Sequence, residues 1–85
     1  MYSLGGIFMK HFNICIRSFA DIQDFVAIAI AQPFDVFVGN DIQEVNAKSL
    51  MAMFTLNYRR PLQVSFTCDD EACSRFTSEA AKFIA

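Results

Sequence analysis

Few side chains in this 85-residue chain combine the type and the position that chemistry requires. The single histidine, His11, lies in a segment in which every second residue is apolar. This alternation is typical of a half-buried strand and places His11 on the face away from the core. The chain has no cysteine–histidine pair in register, no glycine-rich phosphate loop and no H-E-x-x-H motif. We therefore expect a protein that is not an enzyme and needs no cofactor.

The three cysteines, Cys15, Cys68 and Cys73, are odd in number and irregular in spacing. Secreted disulfide-rich domains more often carry an even number. The favoured interpretation is reduced intracellular thiols that pack as small apolar residues. A zinc site with His11 as its fourth ligand is the alternative, but Cys68 and Cys73 lack the two-residue spacing of zinc knuckles. We expect no metal.

Composition and charge limit the size of the core and the kinds of partner. The length fits one domain, and with 54% hydrophobic residues it can fill a modest core. A net charge of −2 provides no basic face for nucleic acid. Residues 1–8 lack the basic region and cleavage site of a signal peptide, and the longest apolar stretch, 25–31, is too short to cross a bilayer. We expect a cytoplasmic domain over 9–85 behind an extension, 1–8, with no membrane partner.

Hydrophobic periodicity predicts the element order β-α-β-β-α-β-α. Gly39-Asn40-Asp41 is typical of a tight turn, so the second and third strands should pair antiparallel. Each element carries an apolar stripe on one face, which favours a two-layer α+β fold with helices on one side of a sheet. The strands are predicted at 10–16, 34–38, 42–46 and 62–68, and the helices at about 18–31, at 48–56 and from 69 to the C-terminus.

Two serines and one aromatic residue stand out within these elements. Ser18 and Ser49 each precede a predicted helix, where a serine is a favourable N-cap. Phe37 alternates with apolar neighbours and should therefore point to the exposed face of the sheet. It is either a cross-strand aromatic residue or a contact for a partner or a second copy.

The segment 46–51, Asn-Ala-Lys-Ser-Leu-Met, together with this element order, resembles the HPr family of bacterial phosphocarrier proteins. In that family an N-x-K-S-[ILF]-[MF] motif containing a regulatory serine opens the short second helix. The similarity covers residues 9–85. It implies an HPr-like two-layer open-faced β-sandwich, in which a four-stranded antiparallel sheet carries three helices on one face.

The second motif of the HPr family, G-[LI]-H-[AT]-R-P-[AS], is missing. Its histidine carries the phosphoryl group and lies 31 residues before the regulatory serine, which corresponds to Ser18 here. Ala20 and Asp21 stand where the motif has its arginine and proline. His11 lies in the first strand and cannot replace the missing histidine. A serine phosphate ester is too stable to pass the group on, and Asp21 would repel the incoming phosphate.

The resemblance therefore implies a regulatory or adaptor HPr-like protein of the sugar phosphotransferase system family. On this interpretation an HPr kinase/phosphorylase phosphorylates Ser49, and the protein acts in carbon catabolite regulation through a transcriptional regulator or transport enzymes. A phosphate on Ser49 would meet the N–H groups of the second helix, with Lys48 adding positive charge. The resemblance implies a docking surface formed by Phe19, Lys48, Leu50, Met51 and Phe54.

Two alternatives remain open. The first is a true phosphocarrier in sugar uptake, with Ser18 as a non-standard acceptor helped by Arg17. The second is a repurposed interaction module that binds a partner, or forms a homodimer, through Phe37 or Phe19. The segment 59–61, Arg-Arg-Pro, predicts a solvated loop that could also receive an acidic partner.

Overall fold

The strands of this protein form one open antiparallel sheet. A computed structural model describes residues 8–84. The sheet order is β1-β4-β2-β3, and each neighbouring pair is antiparallel. The predicted α+β class and four-stranded antiparallel sheet are therefore confirmed. The strands are β1 (Phe8–Ile14), β2 (Val36–Gly39), β3 (Glu44–Asn46) and β4 (Leu62–Cys68).

Three α-helices pack against this sheet: α1 (Phe19–Ile30), α2 (Leu50–Met53) and α3 (Asp70–Glu79). Each begins after a residue whose side chain accepts a hydrogen bond from the N–H three positions later. These N-caps satisfy donors that have no partner within the helix. The N-cap residues are Ser18, Ser49 and Asp69.

The core lies between the helices and the inward face of the sheet. Phe76 of α3 is fully buried at its centre, and its ring lies 4.9–6.3 Å, between centroids, from four other phenylalanine rings. Edge-to-face and tilted pairs at such distances add to the gain from burial alone. This cluster holds α3 on the sheet. The four rings belong to Phe12, Phe25, Phe34 and Phe66.

The ends of several elements differ from the predicted bounds. The last helix ends at Glu79, and a short 3₁₀ turn, Ala81–Phe83, follows it. Ile84, which lies within the predicted range of that helix, is 37% exposed and pairs with Ile14 of β1. The N–H of Cys15 donates to the carbonyl of Phe83 at 2.7 Å. The chain leaves the helix because these contacts satisfy backbone groups at the edge of the sheet.

The opposite face of the sheet has no helix on it among the described residues. His11, Ser65, Phe37 and Asn46 are register partners across all four strands, so they form one row on this face. The predicted outward position of Phe37 is therefore confirmed, and its side chain is half-buried. This face is called the open face below.

The predicted extension, residues 1–8, lies outside the described residues except for Phe8, whose backbone begins β1 opposite Cys68. The boundary at residue 9 stays a prediction. Within residues 8–84, every helix is too short or too polar to span a bilayer.

Candidate functional site

Ser49 lies at the junction of β3 and α2, where the backbone is shaped by Asn46. The side-chain oxygen of Asn46 accepts a hydrogen bond from the N–H of Lys48 at 2.8 Å. The backbone carbonyl of Asn46 accepts one from the N–H of Ser49 at 3.0 Å. This turn sets Ser49 in an extended conformation, with its Oγ accepting from the N–H of Ala52 at 3.3 Å. The residue is half-buried. A hydroxyl in this position is a helix cap that reagents from solvent can still reach.

An exposed apolar surface lies beside this serine. The rings of Phe19 and Phe54 stack with centroids 4.8 Å apart and planes at 19°. Phe19 is 55% exposed and Met51 is 76% exposed, while Leu50 and Phe54 are partly covered. We call Phe19, Leu50, Met51 and Phe54 the apolar patch. The stacked rings thus join the start of α1 to α2.

Lys48, the fifth residue of the predicted docking surface, has a structural partner. Its Nζ donates to the carbonyl of Gln32 at 2.9 Å, just beyond the end of α1. The Gln32 side chain is 7% exposed and donates to the carbonyl of Ile28 and to Glu79, both at 2.8 Å. A cation at the C-terminal end of a helix is favourable. This hydrogen bond gives Lys48 a structural role in addition to any role it has beside Ser49.

The start of α1 is arranged as a cap. The Oγ of Ser18 accepts from the N–H of Asp21 at 3.2 Å, and a carboxylate oxygen of Asp21 accepts from the N–H of Arg17 at 3.0 Å. The predicted cap is confirmed, and Asp21 closes it by bonding to Arg17, one residue before Ser18. A carboxylate therefore occupies the helix start where a phosphate would otherwise find free N–H donors.

His11 lies on the open face and away from α1, which packs on the other face of the sheet. Its Nδ1 is 3.1 Å from the Oγ of Ser65, its register partner on β4. The side chain is exposed, as predicted for this strand. His11 and Ser18 are therefore not brought together, and the imidazole cannot serve the start of α1.

The cysteines contradict the prediction from the sequence. Cys68 and Cys73 are joined by a disulfide, and their Cα atoms are 5.8 Å apart, within the usual range for such a bond. Only Cys15 is a free thiol among residues 8–84. The expectation of three reduced thiols is therefore wrong. The zinc alternative fails too, because two of its ligands are bonded to each other and no group of three metal-binding side chains lies within residues 8–84.

Sequence reasoning missed two features of the structure. The first is the role of Gln32, which lies just after α1 and before Pro33 and whose side chain donates back to the carbonyl of Ile28, four residues earlier. The second is the disulfide, which had a signal in the sequence. The two cysteines are five positions apart, one at the end of a strand and the other in the first turns of a helix.

Three further residues keep their predicted places. Arg59 and Arg60 are exposed in the loop before β4, and the N–H of Arg59 donates to the side chain of Asn57 at 3.1 Å. Phe37 lies opposite Ser65, away from the apolar patch. The candidate site therefore consists of Ser49 with the apolar patch.

No family model matches the chain, and no curated protein matches it significantly.

Proposed function

We propose that this chain is an HPr-like regulatory or adaptor protein that a protein kinase phosphorylates on Ser49. It acts in the cytoplasm by binding other proteins and is neither an enzyme nor a histidine phosphocarrier. The observation that carries the proposal is the position of Ser49. A half-buried capping serine opens α2 beside the apolar patch, so one modification there changes the charge of a surface suited to protein contact.

The cap explains why phosphorylation would require little rearrangement. Transfer moves the γ-phosphoryl group of ATP to the Oγ of Ser49, while the hydroxyl proton passes to a base of the kinase and ADP leaves. The product carries a charge of about −1.5 to −2 and three acceptor oxygens at a helix start. Ala52 N–H, which already donates to this side chain, can donate to the phosphate. The modification therefore preserves the helix and alters the surface.

The apolar patch supports binding to proteins. Phe19 and Met51 are more than half exposed, and the ring of Phe19 stacks on that of Phe54. Aromatic residues and methionine are enriched at protein interfaces. The partners we propose are an HPr kinase/phosphorylase and, as the regulated targets, a transcriptional regulator or transport enzymes of the phosphotransferase system.

A phosphocarrier with Ser18 as acceptor is the weaker candidate. Ser18 is bonded to the N–H of Asp21, and the Asp21 carboxylate faces the N–H of Arg17. An incoming phosphate would meet that negative charge before it met free donors. The open face, with Phe37, offers the surface for the other alternative, a module that binds a partner or a second copy.

The test is incubation of the full chain with ATP and an HPr kinase, followed by intact mass and peptide mapping. We expect one phosphoryl group on the wild type and none on Ser49→Ala. Ser18→Ala is the matched control, because it removes the other serine cap and should keep full uptake. No uptake on the wild type would contradict the proposal. Acid-labile phosphate after incubation with enzyme I and phosphoenolpyruvate would instead favour the phosphocarrier.

A further inference from the structure

The disulfide between Cys68 and Cys73 lies where β4 passes into α3. Cys68 is the last residue of β4, and Cys73 lies in the first turns of α3, with the N-cap Asp69 between them. Each cysteine is 7% exposed. The bond therefore clamps the start of a helix to the end of a strand.

Cys73, which is 7% exposed, contributes to the wall of a surface groove. Between β1, an edge strand, and α3 lies an open groove of about 460 Å³ whose lining includes Cys73. The polar residues of its wall are Lys10, His11, Asp70, Ser74, Thr77 and Ser78. A small thiol can enter a groove of this size. Attack from this side would meet Cys73, since that residue belongs to the wall.

The helix has other attachments that do not depend on the bond. Asp69 accepts from the N–H of Ala72 through its side chain at 2.8 Å and from the N–H of Cys73 through its carbonyl at 2.9 Å. Phe76 is fully buried among four rings, as described above. The domain should therefore stay folded when the disulfide is reduced, which a reversible pair requires.

We propose that Cys68 and Cys73 form a reversible thiol–disulfide pair that exchanges with low-molecular-weight thiols through the groove between β1 and α3. This proposal rests on the geometry of the pair and is independent of phosphorylation at Ser49. Oxidation adds a covalent bond between the start of α3 and the end of β4, and reduction removes that bond. The groove wall formed by the first turns of α3 thereby becomes dependent on the redox state of the surroundings.

The exchange balances as two successive substitutions at sulfur. A reagent thiolate attacks the sulfur of Cys73, the protein S–S bond breaks, and its electron pair leaves on Cys68, which takes up a proton. A second reagent thiolate then attacks the mixed disulfide and releases Cys73 as a thiol. The protein disulfide is reduced by two electrons, and two reagent thiols are oxidised to one reagent disulfide. Oxidation by a low-molecular-weight disulfide is the reverse reaction.

The experiment counts reactive thiols in the full chain after equilibration in a series of buffers containing reduced and oxidised glutathione. Each sample is quenched with acid and alkylated under denaturing conditions, and its intact mass is then measured by mass spectrometry. We expect one alkylated cysteine, Cys15, in the most oxidising buffers and three in the most reducing, with the same curve approached from either side. Three at every ratio would overturn the proposal because no bond forms. One at every ratio would overturn it because the bond is permanent.

Matched variants assign the transition to the pair. Cys15→Ser should lower the number of alkylated cysteines by one in both the most oxidising and the most reducing buffers. The glutathione ratio at the midpoint of the transition should stay unchanged. Cys68→Ser and Cys73→Ser should each abolish the two-thiol step. Far-ultraviolet circular dichroism of the reduced wild type should match that of the oxidised protein. Loss of the folded spectrum on reduction would overturn the reversible pair and make the bond a structural requirement.

Discussion

The rings of Phe19 and Phe54 stack 4.8 Å apart and join two helices that are separated by the whole β2–β3 hairpin. Phe19 is the first residue of α1, and Phe54 caps the C-terminal end of α2. Because Phe19 remains 55% exposed, this contact serves two purposes: it positions α2 and it presents an aromatic face to solvent. The pair connects the stability of the domain to the proposed docking surface.

We expect the energy of this stack to be measurable in a double-mutant cycle. Phe19→Ala and Phe54→Ala should show a coupling of about 0.5–1.5 kcal/mol in the free energy of unfolding, as aromatic pairs do. Ile42→Ala is the control, since Ile42 is 91% exposed and its truncation should change stability by no more than about 0.5 kcal/mol. Additive single effects would show that the rings are adjacent without interacting.

The two serine caps should differ in what they control. Ser18→Ala and Ser49→Ala should each lower the free energy of unfolding by about 1 kcal/mol, because each removes an acceptor for a helix N–H. Ser18→Asn and Ser49→Asn should restore most of that loss. Urea unfolding measures the loss in the alanine variants and the recovery in the asparagine variants. In the kinase assay, only the Ser49 variants should lose phosphate uptake. Equal loss of uptake at both positions would show that the assay reports folding.

Lys48 gives a test that separates a structural role from a role in binding phosphate. Lys48→Met keeps an apolar stem but removes the hydrogen bond to the Gln32 carbonyl, so we expect a loss of about 0.5–1.5 kcal/mol in unfolding free energy. Phosphorylation of Ser49 should proceed at a rate close to the wild type. A large fall in phosphorylation with unchanged stability would instead place the ammonium group at the phosphate.

Gly39 should tolerate no side chain. A Cβ at this position would fall on the carbonyl oxygen of Gln43 and lie 2.8 Å from the Cα of Glu44, both backbone atoms of the facing segment. Gly39→Ala must therefore push β3 away from β2, and overpacking of this kind costs about 1–3 kcal/mol. Thermal unfolding would measure the loss. Asp41→Ala, at an exposed position of the same turn, is the control. Asn40→Ala is unsuitable as a control because the Asn40 side chain accepts hydrogen bonds from the N–H groups of Ile42 and Gln43.

Reduction of the disulfide should lower stability modestly. The loop that the bond closes is short, since the cysteines are five residues apart, and the loss of chain entropy in the unfolded state corresponds to about 2 kcal/mol. Urea unfolding of the wild type with and without a reductant measures this difference. The same reductant should leave the stability of Cys68→Ser unchanged, and a shift in that variant would point to Cys15.

Much of the architecture could be predicted because local patterns of apolar residues and helix-capping residues mark the strands and helices. Strand β4 has its predicted bounds, 62–68, since alternating apolar residues mark each inward position. Helix α1 lies within one residue of its predicted limits because Ser18 caps it and Pro33 follows soon after its end. The last helix was predicted too long, since its apolar spacing continues to Ile84 while pairing with Ile14 draws the chain out of the helix.

The candidate site was predictable only in part. Ser49 and the apolar patch follow from a local motif and its resemblance to the HPr family. The contact of Lys48 with Gln32 could not be found in that way, because the two residues are 16 apart in sequence and meet only when the end of α1 lies beside the β3–α2 junction. The reduced state expected for the cysteines was wrong for a different reason: it rested on their odd number and irregular spacing, although two of them lie five positions apart at a strand–helix junction.

The sequence by itself determined the element order and the capping residues, among them Ser18 at the start of α1. Each of these depends on residues within one helical turn or one strand, where steric preference and hydrogen bonding act directly. Only the tertiary structure decided the stacking of Phe19 on Phe54 and the hydrogen bond between Lys48 and the carbonyl of Gln32. These depend on how the helices settle on the sheet, because burial is shared by residues far apart in the chain.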